Sequence, residues 1–185
     1  MSLEELRIKR IGESLLPYLG NCSELLDIGC GNARLGIYLT EKLDIKYHGV
    51  DIVEQKLADN HILFTKSDLP YPFADKSFDV VLLILTLHHF EVPEAGFAEA
   101  IRLAKKKILL LEDVPRNQLE MLCMKIVDFT GNRLVSKDIP LPYNFYNDKK
   151  WKEIFKNNNL KLNDRSNVFP LPFPRLNHYL YEVLL

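Results

Sequence analysis

Apolar positions along these 185 residues repeat with two different periods, and the switching between them sketches an α/β chain. Leu3, Leu6, Ile11 and Leu15 fall on one helical face over residues 2–16, with Ser2 and Glu5 spaced as a capping box and Pro17 closing the segment. Short apolar runs at 24–28, 47–52, 60–66 and 108–111 read as strands. The run Phe78 to Leu87 is nearly unbroken, as expected of a central parallel strand covered on both faces. Helical spacing returns after Asn32, a candidate N-cap, with Leu35, Leu39 and Leu43 on one stripe. It returns again after Pro93, with Phe97, Ile101 and Ala104 leading into Lys105, Lys106 and Lys107 at the helix C-terminus, where cations suit the dipole. Residues 117–130 predict a helix that turns Leu119, Leu122, Cys123 and Ile126 inward and stops at Gly131. Residues 148–158 predict another, with Trp151, Ile154 and Phe155 on the sheet side. Strands at 160–169 and 178–185, parted by Pro170, Pro172 and Pro174, should close the chain as an antiparallel hairpin.

The length suits a single domain, 1–185. A net charge of −1 lacks the positive excess of a protein that works by neutralising phosphates, which argues against nucleic acid as substrate. Three cysteines, Cys22, Cys30 and Cys123, are odd in number and lack C-x-x-C spacing, so neither a disulfide framework nor a zinc site is indicated. No run approaches a membrane span and the first residues lack a signal peptide's apolar core, so a cytoplasmic setting away from membranes is expected.

Chemistry concentrates in Leu25 to Gly36, LLDIGCGNARLG, a strand, a glycine turn and a helix start. Glycines at 29 and 31 permit positive φ and close approach of a ligand, and free N–H groups at a helix start attract negative charge. The dinucleotide fingerprint G-x-G-x-x-G fails because position 34 is Arg. Asp51 follows Gly29 by about 20 residues, the interval at which the next strand delivers a carboxylate to a ribose diol. That acid serves nicotinamide and methyl-donor nucleosides alike.

With Asp27 two places before Gly29, the turn resembles the first motif, D/E-x-G-x-G-x-G, of class I S-adenosylmethionine (SAM) methyltransferases, Ala33 standing where the third glycine would be. The string SDLPYPFADKSFDVV, residues 67–81, resembles the type 11 subgroup more specifically, as does Leu87-His88-His89-Phe90. The resemblance implies a Rossmann-like three-layer sandwich with a seven-stranded, mostly parallel sheet of order 3-2-1-4-5-7-6, strand 7 reversed. It also implies SAM as cofactor and S-adenosylhomocysteine (SAH) as product. Asp27 would meet the methionine amino group. Gly29, Cys30 and Gly31 would lie against the cofactor, Asp51 and Ile52 at its ribose, and Asp68 and Leu69 at its adenine. Leu85 and Thr86 would stand beside its methionine part. The N-terminal helix would cover it, and residues 114–146, with the proline and aromatic stretch Pro140 to Tyr146, would build the pocket of a small-molecule acceptor.

His88 and His89 are the candidate catalytic bases, imidazoles able to take a proton from a hydroxyl or amine near neutral pH. No metal is expected there: neighbours on an extended chain point apart, and no carboxylate is spaced nearby to join them. His48, His61 and His178 are expected as sheet or surface residues. The D/N-P-P-Y signature of amino-group methylation is absent at Leu85 to His88. Two other classes remain: a SAM-binding or partner-binding module without catalysis, and a nicotinamide-dependent oxidoreductase, against which stand Arg34 and the terminal hairpin.

Overall fold

The computed structural model describes residues 2–53, 57, 59, 62–168 and 176–185. Helix α1 (Leu3–Leu15) starts on the expected capping box, both halves of which are made. Strand β1 (Glu24–Ile28), helix α2 (Arg34–Thr40), strands β2 (Lys46–Asp51), β3 (Leu63–Lys66) and β4 (Phe78–Ile84), helix α3 (Pro93–Leu103) and strand β5 (Ala104–Asp113) follow. Helices α4 (Gln118–Val135) and α5 (Asp148–Asn157) precede the closing strands β6 (Lys161–Asn167) and β7 (His178–Leu184).

The strands form one sheet of order β3-β2-β1-β4-β5-β7-β6. All neighbours are parallel except β7, antiparallel to both β5 and β6. This is the expected three-layer topology. Its two faces explain why the central strands carry no polar alternation. Leu26, Ile28, Val81, Leu83, Ile108 and Leu110 pack on α3 and α5 through Phe97, Ala100, Trp151 and Phe155. Their neighbours Leu25, Val80, Leu82, Leu109 and Leu111 pack on α1 and α2 through Ile11, Leu15, Leu35 and Leu39. A period-2 strand covered on both faces runs apolar through its covered middle, with polar residues such as Asp27, Asp79 and Glu112 toward its ends.

Several elements depart from expectation. Leu3 is exposed and takes no part in the core. Ala33, in the left-handed region at φ 58°, is the N-cap of α2, and Asn32 one place earlier accepts the Arg34 N–H through its side chain. Lys105, Lys106 and Lys107 lie in β5, which begins directly after α3 without an intervening turn. Tertiary charges make this tolerable: Lys106 pairs with Asp79 at 3.0 Å and Lys107 with Glu182 at 2.6 Å. Helix α4 runs through Gly131 to Val135, and its apolar stripe is reversed, with Leu119, Leu122, Ile126 and Phe129 exposed while Glu120 and Met124 are buried. Of the expected third strand, Asn60 and His61 lie outside the described residues, as do Phe169, Pro170, Pro172 and Pro174 of the closing hairpin.

Candidate active site

Strand order reverses around β1, whose neighbours β2 and β4 leave in opposite directions, and the crevice beyond their carboxyl ends is where an open α/β sheet takes its ligand. A cleft of about 630 Å³ opens there, within the size range of small-ligand sites. Asp27, Gly29, Cys30, Gly31, Asp51, Ile52, Asp68, Leu69, Leu85 and Thr86 all line it, and so does His89. His88 does not.

The turn after β1 is held in place from β2. Gly29 N–H donates to the Val50 carbonyl at 2.8 Å, and Gly31 N–H donates to Asp51 Oδ2 at 2.9 Å. Gly29 sits at φ 73°, and a Cβ there would meet Thr86 Oγ1 at 1.9 Å, so no other residue fits. Asp51 also accepts the Val53 N–H through Oδ1 at 2.9 Å. Each carboxylate oxygen has a second lone pair, so an Asp51 oriented in this way can still receive a diol.

Asp27 is buried at the end of β1 beneath the turn, where Tyr47 donates its hydroxyl to Oδ2 at 2.8 Å. Burial pushes its carboxyl up to about 7; the Tyr47 bond works against the rise and the Asp51 charge adds to it. A cationic ligand is what such a group lacks. Asp68 is exposed at the cleft's rim, with Oδ1 accepting the Leu69 N–H at 2.7 Å. The three acids therefore reach one cleft from three strand ends, at different depths.

Past β4 the chain turns sharply instead of continuing extended. Leu85 is left-handed at φ 53°, and Leu87–His89 form one 3₁₀ turn. Such backbone strain persists only where its surroundings enforce it, and here the enforcing group is Glu112 at the end of β5. Glu112 Oε1 accepts the N–H groups of Thr86 (3.0 Å) and Leu87 (2.7 Å), and Oε2 accepts His88 Nδ1 at 2.7 Å.

The turn corrects the geometry expected of the histidine pair. Their rings lie side by side, 4.2 Å between centroids, and a carboxylate does join them: Asp128, supplied by α4 from far along the chain. His88 is buried against Phe145, with Nδ1 on Glu112 and Nε2 3.4 Å from Asp128 Oδ1. Burial opposes its protonation, but Glu112 and Asp128 outweigh burial and push the imidazole up to about 10. It is thus withdrawn from the cleft and holds its proton. His89 faces the cleft and has its pKa lowered, by burial and then by the His88 charge. Its Nδ1 meets the Pro140 carbonyl at 2.8 Å, which can only accept, so Nδ1 carries the hydrogen and Nε2 the lone pair.

Glu112 and Asp128 are what residue-by-residue inspection missed. Glu112 ends an apolar strand at the edge where ligands bind, a signal that was present. Asp128 had only the polar stripe Glu120, Asp128 and Asn132 on a helix whose apolar side looks outward.

Residues 26–111, from β1 to β5, match the family model described as "Methyltransferase domain". The 27-O-demethylrifamycin SV methyltransferase of Amycolatopsis mediterranei (strain S699) is 37% identical over 79 residues, 35% of this chain and 28% of that protein. The ajmaline N-methyltransferase of Rauvolfia serpentina is 30% identical over 107 residues, 50% of this chain and 37% of that protein. The chain therefore spans well under half the length of both curated relatives. Among solved structures, magnesium protoporphyrin IX methyltransferase (ChlM) from Synechocystis PCC 6803 with bound SAH superposes with a TM-score of 0.69 at 16% identity. That match covers 98% of this chain and 82% of the other.

Proposed function

We infer, for a chain whose residues 26–111 match the methyltransferase-domain family, that it transfers the methyl group of SAM to a small, largely apolar acceptor and releases SAH. The observation that carries this is the meeting of Asp27, Asp51, Asp68 and the Gly29 to Gly31 turn in one cleft. Asp27 receives the ammonium, Asp51 the ribose diol and Asp68 the adenine amino group, with Cys30, Ile52 and Leu69 beside them and Leu85 and Thr86 along the methionine arm. Besides the acids and the glycine turn, the cleft is walled by Ile8 and Ile11 of α1, Phe90 and Val92, and Ile139 and Pro140, with Glu4, Arg7 and Glu91 also on its lining. These walls suit an apolar body better than a charged polymer. Both curated relatives are named for small molecules, which supports the same class of acceptor. A cytoplasmic setting is supported by three free cysteines; among the described residues no helix is long and apolar enough to cross a membrane.

Transfer from a sulfonium needs a lone pair aligned behind the methyl carbon: the new bond forms as the C–S pair returns to sulfur. Of the two histidines, His89 is the one on the cleft wall, within reach of the acceptor. His88 acts through Glu112 and Asp128 as a positioning residue that keeps the turn and its neighbour's ring in place.

Calorimetric titration should show SAM and SAH each binding once. Asp51→Ala deletes two charge-assisted bonds, each worth about 1.5–3 kcal/mol, and is expected to weaken SAH binding by at least about tenfold. Failure of both ligands to bind overturns the assignment. Binding without any methylated product, after incubation of labelled SAM with a fraction of small metabolites, would leave a non-catalytic module.

A further inference from the structure

His88 and His89 are oriented from behind by partners that only accept. His88 Nδ1 is 2.7 Å from Glu112 Oε2, and His89 Nδ1 is 2.8 Å from the Pro140 carbonyl. Both Nδ1 atoms thus carry hydrogen, and both Nε2 atoms turn toward one side chain, lying 3.4 and 3.7 Å from Asp128 Oδ1. A histidine that donates its far nitrogen to a carboxylate or carbonyl while its near nitrogen points at a shared centre is the arrangement that orients metal ligands. A tetrahedral ion with bonds of about 2.0–2.1 Å holds its ligands about 3.3 Å apart; the two Nε2 atoms lie 3.4 and 3.7 Å from Asp128 Oδ1, and one ligand atom from each side chain lies within 4.8 Å of the others, so small side-chain rotations close the set on an ion.

Asp128 supplies an independent observation. Its side chain is only 9% exposed, its Oδ1 accepts Asn132 Nδ2 at 2.6 Å, and its Oδ2 is buried with no hydrogen-bond partner among the described residues. A buried carboxylate oxygen left in that state carries a large desolvation cost unless something cationic comes to it. Two buried carboxylates, Glu112 and Asp128, flank the two rings and hold a second proton on His88; a dication that displaces that proton from Nε2 would balance them in its place. Of the three side chains His89 lines the cleft, beside Asn132 and Pro140, while His88 and Asp128 stand behind it, so an ion held by all three would sit in the cleft wall with its open position on the side of His89.

We propose that His88 Nε2, His89 Nε2 and the Asp128 carboxylate bind one divalent first-row transition ion, and that its open position takes the hydroxyl group of the acceptor. Two imidazoles and one carboxylate are the donor set of such ions. A hydroxyl is the acceptor that needs one: an amine already offers a lone pair, whereas an alcohol or phenol must lose its proton, and coordination lowers the pKa of the bound O–H. The proton leaves to solvent, the oxygen pair bonds to the methyl carbon, and the C–S pair goes to sulfur, giving the ether and SAH. The role toward the acceptor rests on the methyl-transfer reading; the ion site does not.

The test is a cobalt(II) titration of the full chain after chelator treatment, followed by visible ligand-field absorption, with SAH binding measured separately. Bands saturating at one equivalent are expected, with apparent affinity reduced at least tenfold in Asp128→Asn and in His89→Gln and unchanged in the control His48→Gln. No bands in the unaltered protein, or bands indifferent to both substitutions, overturn the proposal, and the first outcome requires no variant to fold. SAH binding without cobalt binding removes the ion alone; cobalt binding without SAH binding removes the transferase assignment alone.

Discussion

Asp27 shows how one residue's surroundings set both a stability cost and a ligand preference. In the native chain its carboxyl keeps a proton up to about pH 7, chiefly because it is buried, against an ordinary value of 3.8. Between those values the folded state binds a proton that the unfolded chain has released, so this residue makes stability fall as pH climbs from about 4 to 7, with no further change above. Denaturant unfolding across that window should show the downward slope in the unaltered protein and its loss in Asp27→Asn. A ligand ammonium pairs with the ionised form. SAH affinity should therefore rise by up to about tenfold per pH unit below 7, level off above it, and become flat in Asp27→Asn. The position of Asp27 before Gly29 was plain in the sequence. That Tyr47 covers it and that burial holds its proton were not, because both depend on β2 packing alongside β1.

Helix α4 carries its lesson at the scale of an element. Its helical period was legible and its orientation was not, because a stripe of Leu119, Leu122 and Ile126 ordinarily faces a core. Here the inward positions serve the histidine turn: Asp128 reaches His88 and His89, Asn132 lines the cleft, and Met124, with Met121 and Cys123 packed beside it, joins Phe145 and Leu176 in a small apolar cluster. The polar side of a helix goes inward when what it meets is polar. Thermal unfolding separates the two orientations. Leu122→Lys or Ile126→Lys, on the exposed side, should change stability by no more than about 0.5 kcal/mol, whereas Met124→Ala should cost about 2–5 kcal/mol. The lysines at the start of β5 teach the same point: helix-ending cations by local rules, they become strand residues because Asp79 and Glu182 wait for them.

For the whole molecule, the sheet's switch point brings the residues proposed for the cofactor to one edge, so ligand binding should be felt there and not across the fold. Hydrogen exchange with SAH added should slow at residues 27–36, 51–53 and 84–89 and leave α5 and β6 unchanged; protection spread evenly over the chain would contradict a single-edge site. Much of this architecture was written in the linear pattern. Doubly buried strands run apolar through their middles, helices between them must repeat every three to four residues, and the glycine turn with Asp27 and Asp51 depends on local conformation and short spacing, which neighbouring residues control. The tertiary structure alone decided which way α4 faces, how Glu112 bends the chain after β4, and that Asp128 stands against two histidines coded far from it. Those contacts form between segments distant in sequence, where no periodicity or local propensity records the partner, so they exist only once the sheet has brought the strand ends together.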